Sequence, residues 1–252
     1  MSESIENKKS FFKKTLFKKV GFICMLLVFC FLYLFGLERN KKRNISKPEI
    51  EFIGENTLFI TEDSVNKLLI ENFGSRKTIT KENLVLNKLE SVLTSHPIIE
   101  SAEVSVTTDG KLKAQVKQRT PVARIYDQES SYYIDYQGKI MPLSNNYSAR
   151  VPLVSARLKS ESKENLIEVL RYIYNDEFLK KNIISIEMKE DKSMLMKNRN
   201  YDFTIDFGTS SQMDRKFNNY KAFFQKASQD SLIEKYGVIN LQFTRQVVCT
   251  KK

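Results

Sequence analysis

Hydrophobic and polar positions change period several times along this chain. From Val20 to Leu37 the run VGFICMLLVFCFLYLFGL contains no charge. As a helix it reaches about 27 Å, close to the hydrocarbon thickness of a bilayer. After Pro48 the period shortens. Glu49–Ile53 predicts a strand closed by Gly54, and Thr61 is placed to cap a helix whose stripe is Val65, Leu68 and Leu69, with Gly74 as its stop. Thr80 opens a second helix carrying Leu84, Leu89, Val92 and Leu93, and Pro97 ends it. Ala102, Val104 and Val106 then alternate, Asp109-Gly110 signals a hairpin, and Leu112, Ala114 and Val116 alternate on the return strand. Two amphipathic helices in this order must bury their stripes on one face of a three-stranded sheet.

From Val122 the pattern is mostly β. Val122–Tyr126, Tyr132–Asp135, Lys139–Pro142 and Val151–Val154 predict short strands, and Lys163–Tyr174 a helix with Leu166, Val169, Leu170 and Ile173 inward. Ile183–Met188, Lys192–Lys197 and Tyr201–Phe207 predict further strands, and Met213–Ala227 a second helix carrying Phe217, Tyr220 and Phe224. The closing pattern, Val238–Val248, alternates Ile239, Leu241 and Phe243 with Asn240, Gln242 and Thr244, as a half-buried strand does. The fold class is therefore α+β: one membrane helix, a two-helix, three-stranded unit, and a β-rich unit with two helices.

Charge alters this picture only at one end. Residues 1–47 hold eleven Lys or Arg against three Glu, a net of +8; residues 48–252 hold the other 30 basic and 27 acidic residues, a net of +3. The excess flanks the apolar run, so it marks topology and not a nucleic-acid face. ERNKKRN follows Leu37, with no small-x-small cleavage site, which favours an uncleaved span over a signal peptide. Six Lys precede the span and five Lys or Arg follow it, so the positive-inside rule nearly ties.

Candidate chemistry is sparse. His96 is the only histidine, which cannot supply the usual zinc set, and no GxSxG elbow or phosphate-binding glycine loop occurs. Cys249 has no cysteine partner outside the apolar run. Asp202 and Asp206 fall about 13 Å apart on a strand, wider than a glycosidase pair. No enzyme, cofactor, metal or small-molecule substrate is expected, and a binding role follows by elimination. A terminal strand paired on one side exposes backbone groups that can accept a partner strand, although a purely structural strand fits the same pattern.

Two stretches together carry a resemblance. LTSHPIIESAEVSVTTDGKLKAQVKQRTPVARI contains His96-Pro97, Ile99, Ala102, Val104, the Gly110-Lys-Leu hairpin and the run Gln118 to Ala123. It resembles the end of the POTRA domain in the FtsQ/DivIB family of bacterial cell-division proteins, which shows HP-x-I-x-x-A-x-V and ER-x-P-x-A patterns. Gln118 stands where the family has an acidic residue. The tail Tyr236–Lys252 is similar to the closing strand of that family's β domain, in Bacteroidetes members especially.

The resemblance implies a basic cytoplasmic tail (1–19), a transmembrane helix (20–37), a linker (38–47), a POTRA domain (48–120) and a β domain (121–252). It implies a single-pass inner-membrane protein, N-terminus cytoplasmic and bulk periplasmic, concentrated at the septum. Its partners would be FtsB/DivIC-like and FtsL-like proteins and other divisome components, and its role that of a non-enzymatic scaffold that helps activate septal peptidoglycan synthesis. A POTRA-containing transport or outer-membrane assembly component is the alternative. The partner would dock along Val238–Val248. Candidate contacts are Tyr236, Asn240, Gln242, Thr244, Arg245 and Gln246, with Tyr236 and Arg245 favoured because Tyr and Arg are enriched at interface hot spots.

Overall fold

The structure is a computed structural model that describes residues 22, 25–36, 46–54, 58–72, 86–107, 111–127, 130–155 and 160–252. Residues 25–36 form helix α1, whose apolar side chains, Met25 to Phe35, are each more than half exposed. No helix among the described residues is long and apolar enough to cross a membrane. The expected span Val20–Leu37 is only partly described: apart from Phe22 and residues 25–36 it lies outside the described residues, as do the basic tail, most of the linker, Gly74, Thr80, Leu84 and the Asp109-Gly110 turn.

The first sheet follows the expected order. It contains β1 (Ser46–Ile53), β2 (Ile99–Val106) and β3 (Lys111–Gln118), in spatial order β1-β3-β2. β3 runs antiparallel to β2 and parallel to β1. Helices α2 (Glu62–Asn72) and α3 (Leu86–Ser95) cover one face with Val65, Leu69, Leu89 and Leu93. Thr61 caps α2 by accepting the Ser64 N–H at 3.3 Å, and Glu62 and Asp63 oppose the positive end of the helix dipole. Helix α3 stops at Ser95, two residues before Pro97. On β3 Leu112, Ala114, Val116 and Gln118 point inward, as a period of two requires.

The second sheet has nine strands. They are β4 (Pro121–Asp127), β5 (Ser130–Asp135), β6 (Ile140–Met141), β7 (Leu153–Ser155), β8 (Ile183–Met188), β9 (Met194–Asn198), β10 (Thr204–Gly208), β11 (Tyr236–Asn240) and β12 (Val248–Lys251). The spatial order is β12-β11-β10-β9-β8-β7-β4-β5-β6. Two parallel crossovers place helices over one face: α4 (Ser160–Asn175) and α5 (Glu177–Asn182) between β7 and β8, and α6 (Met213–Gln229) between β10 and β11. Leu166, Leu170, Ile173, Phe217 and Tyr220 meet Ile125, Val154, Ile186, Met196, Ile205 and Ile239 in one core.

Two expectations need correction here. This unit carries three α-helices, not two. The added one, α5, begins where Asp176 leaves helical geometry and its carboxylate accepts the Leu179 N–H at 3.0 Å. Burial alone would push Asp176 up; hydrogen bonds from Lys221 and the Leu179 N–H outweigh it and hold the carboxyl below the usual range. The closing strand Val238–Val248 is also not one strand, as described below.

The two sheets share a buried joint. Only Arg119 and Thr120 separate β3 from β4. Gln118 is 2% exposed. Its Oε1 accepts the N–H groups of Phe59 and Ile60 at 2.9 and 3.2 Å, and its Nε2 donates to the Ile60 carbonyl at 3.1 Å. Arg119 donates from its backbone N–H to the Ile98 carbonyl at 2.8 Å, from Nε to the Pro97 carbonyl at 3.1 Å, and from Nη1 to Asp135 Oδ2 at 2.8 Å. Tyr133 and Met141, from β5 and β6, pack into the core of the first sheet. Phe59 meets the rings of Tyr133 and Tyr147 edge-on at 6.1 and 5.0 Å.

Removing one partner from such a network strands the others in the interior. Gln118→Ala is expected to destabilise by about 2–4 kcal/mol, because two buried backbone donors and a carbonyl lose the amide that pairs with them. Asp135→Leu leaves the Arg119 charge buried and is expected to lose about 3–5 kcal/mol; Arg119→Met in the same chain recovers part of that loss. Urea unfolding in detergent, followed by circular dichroism, measures all three, and because Tyr133 and Met141 of the second sheet fill part of the first sheet's core, the two sheets should unfold in one transition.

Candidate partner-docking edge

The stretch Val238–Val248 divides. β11 ends at Asn240, the chain reverses over Leu241–Val247, and β12 returns antiparallel on β11, pairing Asn240 with Val248, Ile239 with Cys249, and Val238 with Thr250. The reversal begins where Asn240 Oδ1 accepts the Gln242 N–H at 2.9 Å, an Asx-type turn. Period two holds through the buried Ile239 and Leu241 and then fails: Phe243, expected in the core, is 54% exposed. No Gly or Pro marks this turn, which is why alternation alone extends the strand through it.

The candidate contacts therefore do not lie along one open edge. Tyr236 opens β11 half-buried, its ring edge-on to Phe223 at 5.4 Å. Asn240 sits on an interior strand, between Asp206 of β10 and Val248 of β12. Gln242 faces solvent, but its Nε2 donates to both oxygens of the Asp206 carboxylate at 2.9 Å. The Thr244 carbonyl accepts from Asn219 Nδ2 on α6 at 3.0 Å. Arg245 and Gln246 are exposed on the reversal.

The open edge belongs to β12, the terminal strand of the sheet. Strand alternation shows which groups face outward. The Leu241 N–H donates to the Asp206 carbonyl at 2.8 Å, so Ile239 and Leu241 bond toward β10, while Val238 and Asn240 turn toward β12. Their partners Thr250 and Val248 are thus bonded inward, and the Lys252 N–H donates inward to the Lys235 carbonyl at 2.9 Å. Cys249 and Lys251 direct their N–H and C=O groups outward. Sequence reasoning missed these two positions because β12 becomes visible only once the reversal is known. The Cys249 side chain packs against the core opposite Ile239, and burial pushes its thiol pKa up.

Of the three other sheet edges, β1, β2 and β6, two are closed differently. On β2 the Val104 N–H points outward but donates to Glu90 Oε1 of α3 at 2.9 Å, which plugs the edge with a carboxylate. β6 has only two residues. The surface around β12 is basic, with Lys235, Arg245, Lys251 and Lys252 exposed. Among the described residues no group of His, Cys, Asp and Glu is placed to hold a metal ion. His96 closes the α3–β2 turn, its Nδ1 accepting the Ile98 N–H at 3.3 Å, and partial burial lowers its pKa.

The second sheet, β12 included, coincides with a family match. Residues 120–250, just over half of the chain, match the family described as FtsQ/DivIB, C-terminal related. Among solved structures, the chain is similar to the major extracytoplasmic domain of the trans isomer of the cell division protein DivIB from Geobacillus stearothermophilus. The two are 14% identical over 45% of this chain and 96% of the other, with a TM-score of 0.29. No curated protein matches the chain. The match over 120–250 places this chain in the FtsQ/DivIB family of cell-division proteins.

Proposed function

We propose that this protein is a membrane-anchored, non-enzymatic scaffold of the divisome, and that the outer edge of β12 receives a strand from an FtsB/DivIC-type partner paired with an FtsL-type protein. In this reading the N-terminus is cytoplasmic, Val20–Leu37 spans the inner membrane, and both sheets lie in the periplasm at the septum. The first sheet with α2 and α3 serves as a POTRA domain that aids recruitment. The assembled complex helps activate septal peptidoglycan synthesis. The exposed apolar side chains of α1 suit a lipid surround.

The observation that carries the reading is the edge itself. Backbone groups of Cys249 and Lys251 face outward on the last strand of a nine-stranded sheet, while Glu90 closes β2 and β6 is too short to extend. An added strand gains ladder hydrogen bonds from such an edge without rearrangement of the sheet.

The test uses proline at an outward-facing position of β12, with the full chain in nanodiscs and the extracytoplasmic segment of the organism's FtsB-type protein as probe. Lys251→Pro removes an outward N–H and leaves the inward ladder intact, so the fold should persist and Kd rise about tenfold or more. Full-strength binding by a folded Lys251→Pro chain would sink the docking edge. A second measurement follows Cys249, whose partial burial and raised pKa predict slower iodoacetamide alkylation at pH 8 than in the urea-unfolded chain. Peptide mass spectrometry reads that rate, and bound partner should slow it further.

A further inference from the structure

We propose that Gln242 is a positioning residue for this edge: with Asp206 and Gly208 it forms a latch that holds the reversal and so lays β12 on β11. The latch is argued from contacts within this chain. Its consequence for binding rests on the docking reading above.

β12 has only four residues and lies at the edge of the sheet, and short edge strands open easily unless tied. The ties lie in the reversal. Gln242 Nε2 reaches both Asp206 carboxylate oxygens, so one side chain bridges the loop to β10 through a charge-assisted pair of bonds. Its backbone N–H is meanwhile held by Asn240, which fixes the direction in which the side chain leaves.

Gly208 makes room for that side chain. Its φ is +67°, and a Cβ there would stand 2.8 Å from Gln242 Cγ. Lys216, 3% exposed on α6, donates from Nζ to the carbonyls of Phe207 and Thr209 at 3.0 and 2.8 Å, clamping Gly208 on both sides. From further along α6, Asn219 holds the Thr244 carbonyl. Helix α6 thus grips the floor below Gln242 and the loop beyond it. Gln242 makes none of the ladder bonds of β12, yet the position of β12 follows from where Gln242 is held.

Residue chemistry supplies a test that general destabilisation does not mimic. Gln242→Glu opposes two carboxylates, whereas Gln242→Glu with Asp206→Asn restores one amide facing one carboxylate, with the long and short side chains where they were. Hydrogen–deuterium exchange of the full chain in detergent reads the amides of Val248, Thr250 and Lys252 against those of β8 and β9. Gln242→Ala and Gly208→Ala are expected to speed exchange in β12 roughly five- to tenfold with β8 and β9 unchanged; Gln242→Glu should exceed Gln242→Ala; and the swapped double variant should return to near wild-type rates. Unchanged β12 protection in Gln242→Ala, or a swap that fails to restore it, would overturn the latch.

The binding arm, with the same FtsB-type probe, separates the two ideas. Gln242→Ala that keeps β12 protected but loses binding makes Gln242 a contact and overturns the latch. Faster exchange in the variants, with a wild-type chain that binds no partner, upholds the latch and removes the docking reading.

Discussion

Everything else in this fold is arranged around a charge that has been taken out of water. The Arg119 guanidinium and the Asp135 carboxylate meet at 2.8 Å with side chains 8% and 2% exposed. An ion pair at that depth is tolerable only if its remaining hydrogen-bonding capacity is also met. The fold meets it from both sides: the Pro97 carbonyl accepts from Arg119 Nε, and the Lys139 N–H donates to the second Asp135 oxygen at 2.7 Å, while the Arg119 backbone N–H is tied to the Ile98 carbonyl. The α3–β2 turn, the β3–β4 junction and the β5–β6 turn must therefore converge on one point. With Gln118 beside them anchoring Phe59 and Ile60, the relative placement of the two sheets follows from local hydrogen bonding and not from a flexible linker.

The joint also gives the sequence motifs a physical meaning. His96-Pro97 and Gln118-Arg119 lie apart in sequence, and the structure brings them into contact through the Arg119–Pro97 bond. Gln118 replaces an acidic residue of the family pattern, and its surroundings suit the replacement. It must accept two N–H groups and donate to a carbonyl, which a neutral amide does and a carboxylate does not. The first of the two stretches that carry the resemblance is thus architectural, whereas the second, Tyr236–Lys252, holds the edge at the other end of the second sheet.

Sequence legibility divides along the same line between local and non-local causes. Period two found β2 and β3, helical stripes found α2, α3, α4 and α6, and Thr61 announced its cap, because each signal is contained within a few neighbouring residues. What failed depended on partners far along the chain. Leu241 ends the alternation because its N–H completes the ladder to Asp206 on β10, and Phe243 is turned outward by a loop that Asn219 and Asp206 hold from other elements. Of the six candidate contacts, four, Tyr236, Asn240, Gln242 and Thr244, are engaged within the chain, and the outward backbone of Cys249 and Lys251 carries no side-chain signature at all.

An exposed edge is a hazard as well as an opportunity, and the chain treats its edges unequally. Glu90 places a carboxylate on the outward Val104 N–H of β2, a device that forbids pairing there. On β12 the corresponding protection is charge alone. Lys251 and Lys252 bring like charges together if two copies meet edge to edge, yet their charge does not occupy the outward backbone groups of the strand as Glu90 occupies that of Val104. A plug rejects all strands; a charge rejects some and admits others. The choice of charge over plug at β12 is the choice expected of an edge kept for a partner.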